Sequence, residues 1–146
     1  MSDIYTQYSV SLPNVSNDFL RFLLREEQLK EMYDSCELDY NFFERDDNPH
    51  DFGEWEIWRC RTSGEITVHL YADDCEPTME AVNRVIQKYI LHEADLRHSY
   101  IEYVSVSYGI RAIPDYQGAT VYVVDANDIR CISSCKVAGL LWEGKI

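Results

Sequence analysis

The first dozen residues alternate between apolar and polar side chains, the pattern of a β-strand with one face turned inward. Over residues 4–12, Val10 and Leu12 belong to the apolar set, whereas Ser9 and Ser11 belong to the polar set. A Pro-Asn pair follows directly, and proline cannot donate a hydrogen bond to a strand ladder. The pattern therefore predicts a first strand that ends at residue 12.

Two stretches have helical rather than strand periodicity. Ser16 suits a helix N-cap, and the apolar residues after it recur at helical spacing, with a change of phase near residues 25–27. One long helix or two short helices fit residues 16–36. A further helix is predicted over residues 77–94, because Pro77 is tolerated in a first turn and an apolar stripe follows it.

The remaining apolar segments read as strands. Residues 55–58 and 66–72 alternate, and a Thr-Ser-Gly turn at residues 62–64 joins them as a hairpin. Three more strand-like segments end the chain, at about residues 99–109, 118–125 and 129–138.

The predicted order of elements is βαββαβ followed by a C-terminal β-hairpin. Two helices separated by a hairpin fit an α+β fold of the ferredoxin-like type, in which an antiparallel sheet carries both helices on one face. Such an architecture hosts unrelated activities, so function has to be argued from individual sites.

Composition supports a single globular domain over residues 1–146, because 46% of the side chains are apolar and glycine and proline are few. No apolar run reaches the roughly 20 residues that span a bilayer. The first residues also lack the basic and apolar regions of a signal peptide. The sequence therefore predicts a cytoplasmic protein.

The five cysteines are odd in number and irregularly spaced, which does not fit a secreted disulfide framework. No Cys-x-x-Cys pair is present to begin a structural zinc site, and we expect neither a metal nor another cofactor. Cys131 and Cys135 would share one strand face with Ile129 and Val137, which predicts a core position for both thiols.

Charge is the most distinctive property of the chain. Residues 1–96 contain 21 acidic and 8 basic residues, a net charge of −13, whereas residues 97–146 contain five of each. A single-sign surface of this kind repels nucleic acids and anionic membranes and attracts a basic partner. The sequence therefore predicts binding to a basic protein, without direct contact with nucleic acid or membrane.

The acidic residues are densest between Arg25 and Glu56, where large aromatic side chains lie among them. Carboxylates can stand in for phosphates on a basic surface, and aromatic side chains can act as buried anchors. The alternative is an acidic surface that serves solubility alone. The predicted partner-binding residues are Glu31, Asp34, Glu37, Asp39, Tyr40, Phe42, Phe43, Glu44, Asp46, Asp47, Asp51, Phe52, Glu54, Trp55 and Glu56.

No catalytic motif is evident in the sequence. The four histidines stand outside any His-x-x-x-His or Cys-His arrangement, and no nucleophile elbow or glycine-rich phosphate loop occurs. His69 lies on the polar side of a predicted strand, beside Thr67 and Tyr71, where it could act as a general base or simply be solvated. The expectation is therefore a protein that is not an enzyme.

Small size, high acidity and the absence of a catalytic motif fit a nucleic-acid mimic that blocks a nuclease or another nucleic-acid-binding complex. Phage anti-defence and antirestriction proteins have this profile. A toxin-immunity protein that neutralises a cationic toxin is the first alternative. The second is an enzyme or small-ligand protein whose site is assembled from dispersed residues. The sequence also leaves a homodimer open.

Overall fold

The computed structural model describes residues 4–34, 51–72, 77–93, 96, 99–109 and 118–146. Within these residues the fold is α+β, with one six-stranded antiparallel sheet and three helices. The strands are β1 (Ile4–Leu12), β2 (Glu54–Arg59), β3 (Ile66–Ala72), β4 (Ile101–Gly109), β5 (Gly118–Val124) and β6 (Ile129–Ser133). The helices are α1 (Asn17–Asp34), α2 (Met79–His92) and α3 (Ser134–Trp142).

The sheet has the strand order β2-β3-β1-β4-β5-β6, and every neighbouring pair is antiparallel. The first strand of the chain therefore lies inside the sheet, where Tyr8 is opposite Ala72 on β3 and Ser105 on β4. This order brings residues far apart in sequence into direct cross-strand contact.

The core lies on one face of the sheet and is covered by α1 and α2. Alternate residues such as Leu12 on β1 and Leu70 on β3 are fully buried there. Phe19 of α1 meets the ring of Tyr89 of α2 edge to face, with the two centroids 5.4 Å apart. Each large apolar side chain buried in this way contributes about 1.5–3 kcal/mol, and this burial holds the helices against the sheet.

Buried polar groups in this core have hydrogen-bond partners. The Tyr8 hydroxyl donates to the Phe52 carbonyl, and the Tyr89 hydroxyl donates to the Pro13 carbonyl. Burial, with a smaller effect of the Glu93 charge, raises the pKa of Tyr89 to about 12. The hydroxyl therefore stays protonated and able to donate at neutral pH.

An ion pair joins the two covering helices. Glu26 of α1 is only 6% exposed, and its carboxylate accepts a hydrogen bond of 2.6 Å from the guanidinium of Arg84 on α2. A buried carboxylate without a partner would be costly, so the pair fixes α1 against α2.

The first helix is continuous from Asn17 to Asp34, so two short helices in that range are excluded. The Ser16 hydroxyl accepts a hydrogen bond of 3.2 Å from the Phe19 amide, as expected of an N-cap. The second helix is shorter than predicted, because it begins at Met79 rather than at Pro77 and ends at His92 rather than at residue 94.

The C-terminal strand predicted over residues 129–138 is wrong in its second half. β6 ends at Ser133, and the Ser133 hydroxyl caps α3 by accepting a hydrogen bond of 3.2 Å from the Lys136 amide. Cys131 and Cys135 thus belong to different elements, and both are exposed. Their predicted core position is also wrong, because the cap places Cys135 on a helix and Cys131 lies exposed on β6, an edge strand of the sheet.

In the part of the chain that the structure describes, no helix combines the length and the apolar character needed to cross a bilayer.

Candidate functional site

The face of the sheet opposite the core, called here the outer face, carries the most chemically varied exposed residues. On β2 the alternation turns Glu54, Glu56 and Trp58 toward this face, and all three are exposed. On β4 and β5 the outer positions include Val104 and Val121, which are opposite each other and also exposed. The outer face is therefore acidic and aromatic at one end and apolar toward the other.

Three polar residues form a row across the acidic end of the outer face. His69 of β3 is directly opposite Ser11 of β1 on one side and Glu56 of β2 on the other. The Ser11 hydroxyl and the His69 Nδ1 atom are 2.8 Å apart, a hydrogen bond whose donor depends on the imidazole tautomer. The strand register alone creates this row, because each residue comes from a different strand.

Trp58 covers one side of the His69 ring. The two ring centroids are 3.6 Å apart, and the planes are tilted by 47°. The indole Nε1 donates a hydrogen bond of 3.1 Å to the Glu56 carboxylate, and 56% of Trp58 is still exposed. The His69 Nε2 atom is buried and has no hydrogen-bond partner among the described residues. A large aromatic surface is thus held in place beside a carboxylate.

The arrangement of Ser11 and His69 resembles a nucleophile and its general base, but the setting does not complete an acyl-transfer site. Backbone N–H groups of an antiparallel sheet lie in its plane and are used by the strand ladder. A carbonyl resting on the outer face would therefore meet no pair of amide donors for its developing negative charge.

The turn between β2 and β3 contains an exposed thiol. The turn is closed by a 2.9 Å hydrogen bond from the Gly64 amide to the Cys60 carbonyl, and the Cys60 sulfur is 3.3 Å from the Thr62 hydroxyl. Hydrogen bonds from the side chains of Ser63 and Thr62, and then from their backbone amides, lower the pKa of the Cys60 thiol to about 6. The thiolate is therefore the main form at neutral pH.

We expect this thiolate to be visible in alkylation kinetics. The rate of iodoacetamide labelling at Cys60 should rise through about pH 6, where the thiolate forms, and level off near pH 8. Mass spectrometry of the Cys60 peptide measures this rate without interference from other cysteines. The double substitution Thr62→Val and Ser63→Ala should raise the midpoint only part of the way toward the ordinary thiol value of about 8.5, because the backbone amides of residues 62 and 63 still donate to the sulfur. An identical pH profile in both proteins would contradict the assigned cause.

The structure describes six of the fifteen partner-binding side chains that the sequence predicts. Glu37, Asp39, Tyr40, Phe42, Phe43, Glu44, Asp46 and Asp47 lie outside the described residues, as does the side chain of Asp34. Glu31 is exposed on α1, in the helix layer, whereas Glu54 and Glu56 are exposed on the outer face. Glu31 and the two β2 carboxylates thus lie in different layers of the molecule.

Three other predicted contact residues have structural roles. Phe52 is 1% exposed and belongs to the core, so its ring presents no surface to a partner. Trp55 is partly buried and packs against that core. The Asp51 carboxylate lies 3.5 Å from the Lys30 ammonium and accepts a 3.2 Å hydrogen bond from the Gly53 amide. The local pattern of acidic and aromatic residues did not distinguish these inward-facing positions from outward-facing ones.

Ser11 and Trp58 were not among the residues predicted from sequence to form a site. The alternation places both on polar strand positions, but sequence spacing does not show which strands are neighbours. A tryptophan on the polar side of an amphipathic strand was the available indication, because a large aromatic residue is costly to leave exposed.

Among the described residues, no group of three or more His, Cys, Asp and Glu side chains could hold a metal ion. Comparisons with protein-family models, with curated proteins and with solved structures give no significant match.

Proposed function

We propose that the protein is a small inhibitor that binds the basic surface of a nuclease or another nucleic-acid-binding protein, as a nucleic-acid mimic does. The observation that carries this proposal is the exposed Trp58 beside the Glu56 carboxylate on the outer face of β2, in a chain whose residues 1–96 have a net charge of −13. An aromatic anchor beside carboxylates suits a partner surface rich in arginine and lysine.

The two kinds of group would act on different steps of binding. Exposed carboxylates such as Glu54 and Glu56 raise the rate of encounter with a basic surface, and salt screens this effect. Trp58 offers apolar area that is released from water only in the complex, which slows dissociation. Because Trp58 is already held by His69 and Glu56, little side-chain freedom would be lost on binding.

We also infer that the segment from β1 to β4 is a ferredoxin-like unit, extended by β5, β6 and α3. The strand order β2-β3-β1-β4 and the shared core of α1 and α2 support this inference. In such a unit the uncovered sheet face is available for partners, which agrees with the position of Trp58.

Charge reversal on β2 tests the proposal. Against a panel of purified basic nucleases and DNA-binding proteins, we expect saturable inhibition that duplex DNA competes away. Replacing Glu54 and Glu56 together by lysine should slow association with a responding partner about tenfold or more, since electrostatic steering supplies factors of that size. Trp58→Ala should instead speed dissociation. Surface plasmon resonance at low and high salt measures both rates.

The matched control is the reversal of Glu102 and Glu143, two exposed acids in the charge-balanced part of the chain. Asp125 is unsuitable for this purpose, because its carboxylate accepts hydrogen bonds from the Asn127 and Asp128 amides. Equal slowing by both double reversals would show that whole-protein charge, rather than a site on β2, drives binding. An affinity that does not depend on salt would reject the electrostatic mechanism.

A toxin-immunity protein would use the same surface and differ only in its partner, so a cationic toxin belongs in the same binding panel.

The hydrogen bond between Ser11 and His69 favours a second candidate, a hydrolase with Ser11 as nucleophile. A fluorophosphonate probe, which reacts with an activated serine, separates a hydrolase from a binding protein. Phosphonylation of Ser11 that is lost in the His69→Ala protein would support the hydrolase and count against pure binding.

A further inference from the structure

The two edges of the sheet differ sharply in how they are protected against pairing with another chain. The edge strand β2 carries the charged residues Glu54, Glu56 and Arg59, whereas Arg130 is the one charged residue within β6. Charged residues and proline are the usual protection of a sheet edge, and β6 also contains no proline. Because β6 ends the sheet, its outer backbone groups are not used by another strand of the described sheet.

We propose that the protein forms a symmetric homodimer in which the β6 strands of two copies pair antiparallel and join the two sheets into one. This inference is independent of the proposed inhibitor function, because it uses the opposite edge of the sheet from Trp58.

The distribution of charge favours a second copy of the chain, rather than a basic partner, as the binding partner of the β6 edge. Each copy has a net charge of −13, all of it from residues 1–96, while residues 97–146 are neutral. Pairing through β6 brings together the neutral parts and places the two β2 edges, with their acids, at the far ends of the joined sheet. A basic partner, in contrast, gains nothing electrostatically from the neutral edge and would be drawn to the acidic part.

The β6 sequence is complementary to itself in one register. Antiparallel pairing of all five residues centres on Cys131, so that Arg130 of one copy is opposite Ile132 of the other and Ile129 is opposite Ser133. Like charges directly opposite each other would destabilise a strand pair, and in this register none face each other. The two Cys131 side chains, which are exposed in the single chain, would be direct neighbours across the two-fold axis.

Apolar surface beside β6 would add to the strand pairing. On the outer face, Ile132 would lie at the junction of the two sheets, beside Val121 of its own copy. The adjoining α3 leaves Leu141 exposed, and 91% of Trp142 is exposed. Five paired residues alone are short for a stable interface, which usually buries at least about 1,200 Å², so this apolar area is an essential part of the proposal.

The mass in solution provides the first test. Analytical ultracentrifugation of the full chain should show a concentration-dependent species of about twice the 17.1 kDa of one chain. The substitution Cys131→Lys would place two positive charges opposite each other at the centre of the interface and should yield monomers. The matched control Ile57→Lys, at an exposed position of the β2 edge, should leave the dimer intact. A monomer at every concentration of wild-type protein, or dissociation by the β2 substitution alone, would overturn the proposal.

Crosslinking provides a second measurement that does not depend on a lysine at the edge. Mild oxidation of the wild-type protein should produce a covalent dimer in which mass spectrometry finds Cys131 joined to Cys131. This dimer should persist in the Cys135→Ser protein and disappear in the Cys131→Ser protein, although the latter should still sediment as a dimer. Crosslinks exclusively through other cysteines would contradict the register centred on Cys131.

Discussion

Truncating Phe52 to alanine should lower the free energy of unfolding by about 3–5 kcal/mol, the usual cost of deleting a fully buried aromatic ring. Phe52 is 1% exposed and belongs to the cluster formed by the sheet, α1 and α2. The Tyr8 hydroxyl also donates to its carbonyl, so the backbone at this position is held from within the core. Urea denaturation followed by far-ultraviolet circular dichroism gives the difference directly.

Trp58→Ala is the matched control for this prediction, because it also removes a large aromatic ring. Trp58 is 56% exposed, and its loss should change the free energy of unfolding by less than about 1 kcal/mol. Phe52→Ala should therefore lower stability, whereas Trp58→Ala should weaken partner binding and leave stability nearly unchanged. A Phe52→Ala protein that keeps wild-type stability but loses binding would restore Phe52 as a contact residue.

Gly53→Ala should destabilise the protein by about 2–5 kcal/mol, through a strained backbone of about 1–2 kcal/mol and overpacking of about 1–3 kcal/mol. Gly53 has a φ of +85°, which side-chain-bearing residues rarely adopt. A Cβ atom there would lie 2.6 Å from the Tyr71 carbonyl oxygen and 3.1 Å from the Tyr8 hydroxyl. The backbone atom cannot move aside without disturbing the pairing of β3.

Gly64→Ala separates the two contributions. Gly64 also has a positive φ, of +75°, but a Cβ atom there would meet no other atom within 4 Å. We therefore expect its substitution to cost only the backbone strain, about 1–2 kcal/mol. Equal losses at the two positions in denaturant titrations would show that the close approach to Tyr71 is not what constrains Gly53.

The local sequence pattern was sufficient to predict most of the strands and helices. Alternation identified β1 and the β2–β3 hairpin, and helical spacing identified α1 and α2, because these periodicities are properties of neighbouring residues. The error at residues 134–138 has a local cause too. A serine cap at Ser133 starts a helix in a segment whose alternation alone resembles a strand.

The composition of the chain also determined its electrostatic character, since net charge does not depend on the fold. Net charge does not show which carboxylates lie close enough together to contact one partner. Glu31 and Glu56 come from the same acidic stretch of sequence, but α1 and β2 place them in different layers. Phe52 and Trp58 come from one aromatic-rich segment, yet the first is core and the second is surface.

Only the tertiary structure decided the candidate site. Ser11 and His69 are 58 residues apart in sequence, and they touch because β1 lies beside β3 in a fixed register. A shift of one residue in that register would turn every side chain of the strand to the opposite face, and Ser11 would no longer lie beside His69. Strand order and register depend on how α1 and α2 pack over one face of the sheet. Local sequence therefore specified the strands, whereas burial of the shared core specified which of their outward residues meet.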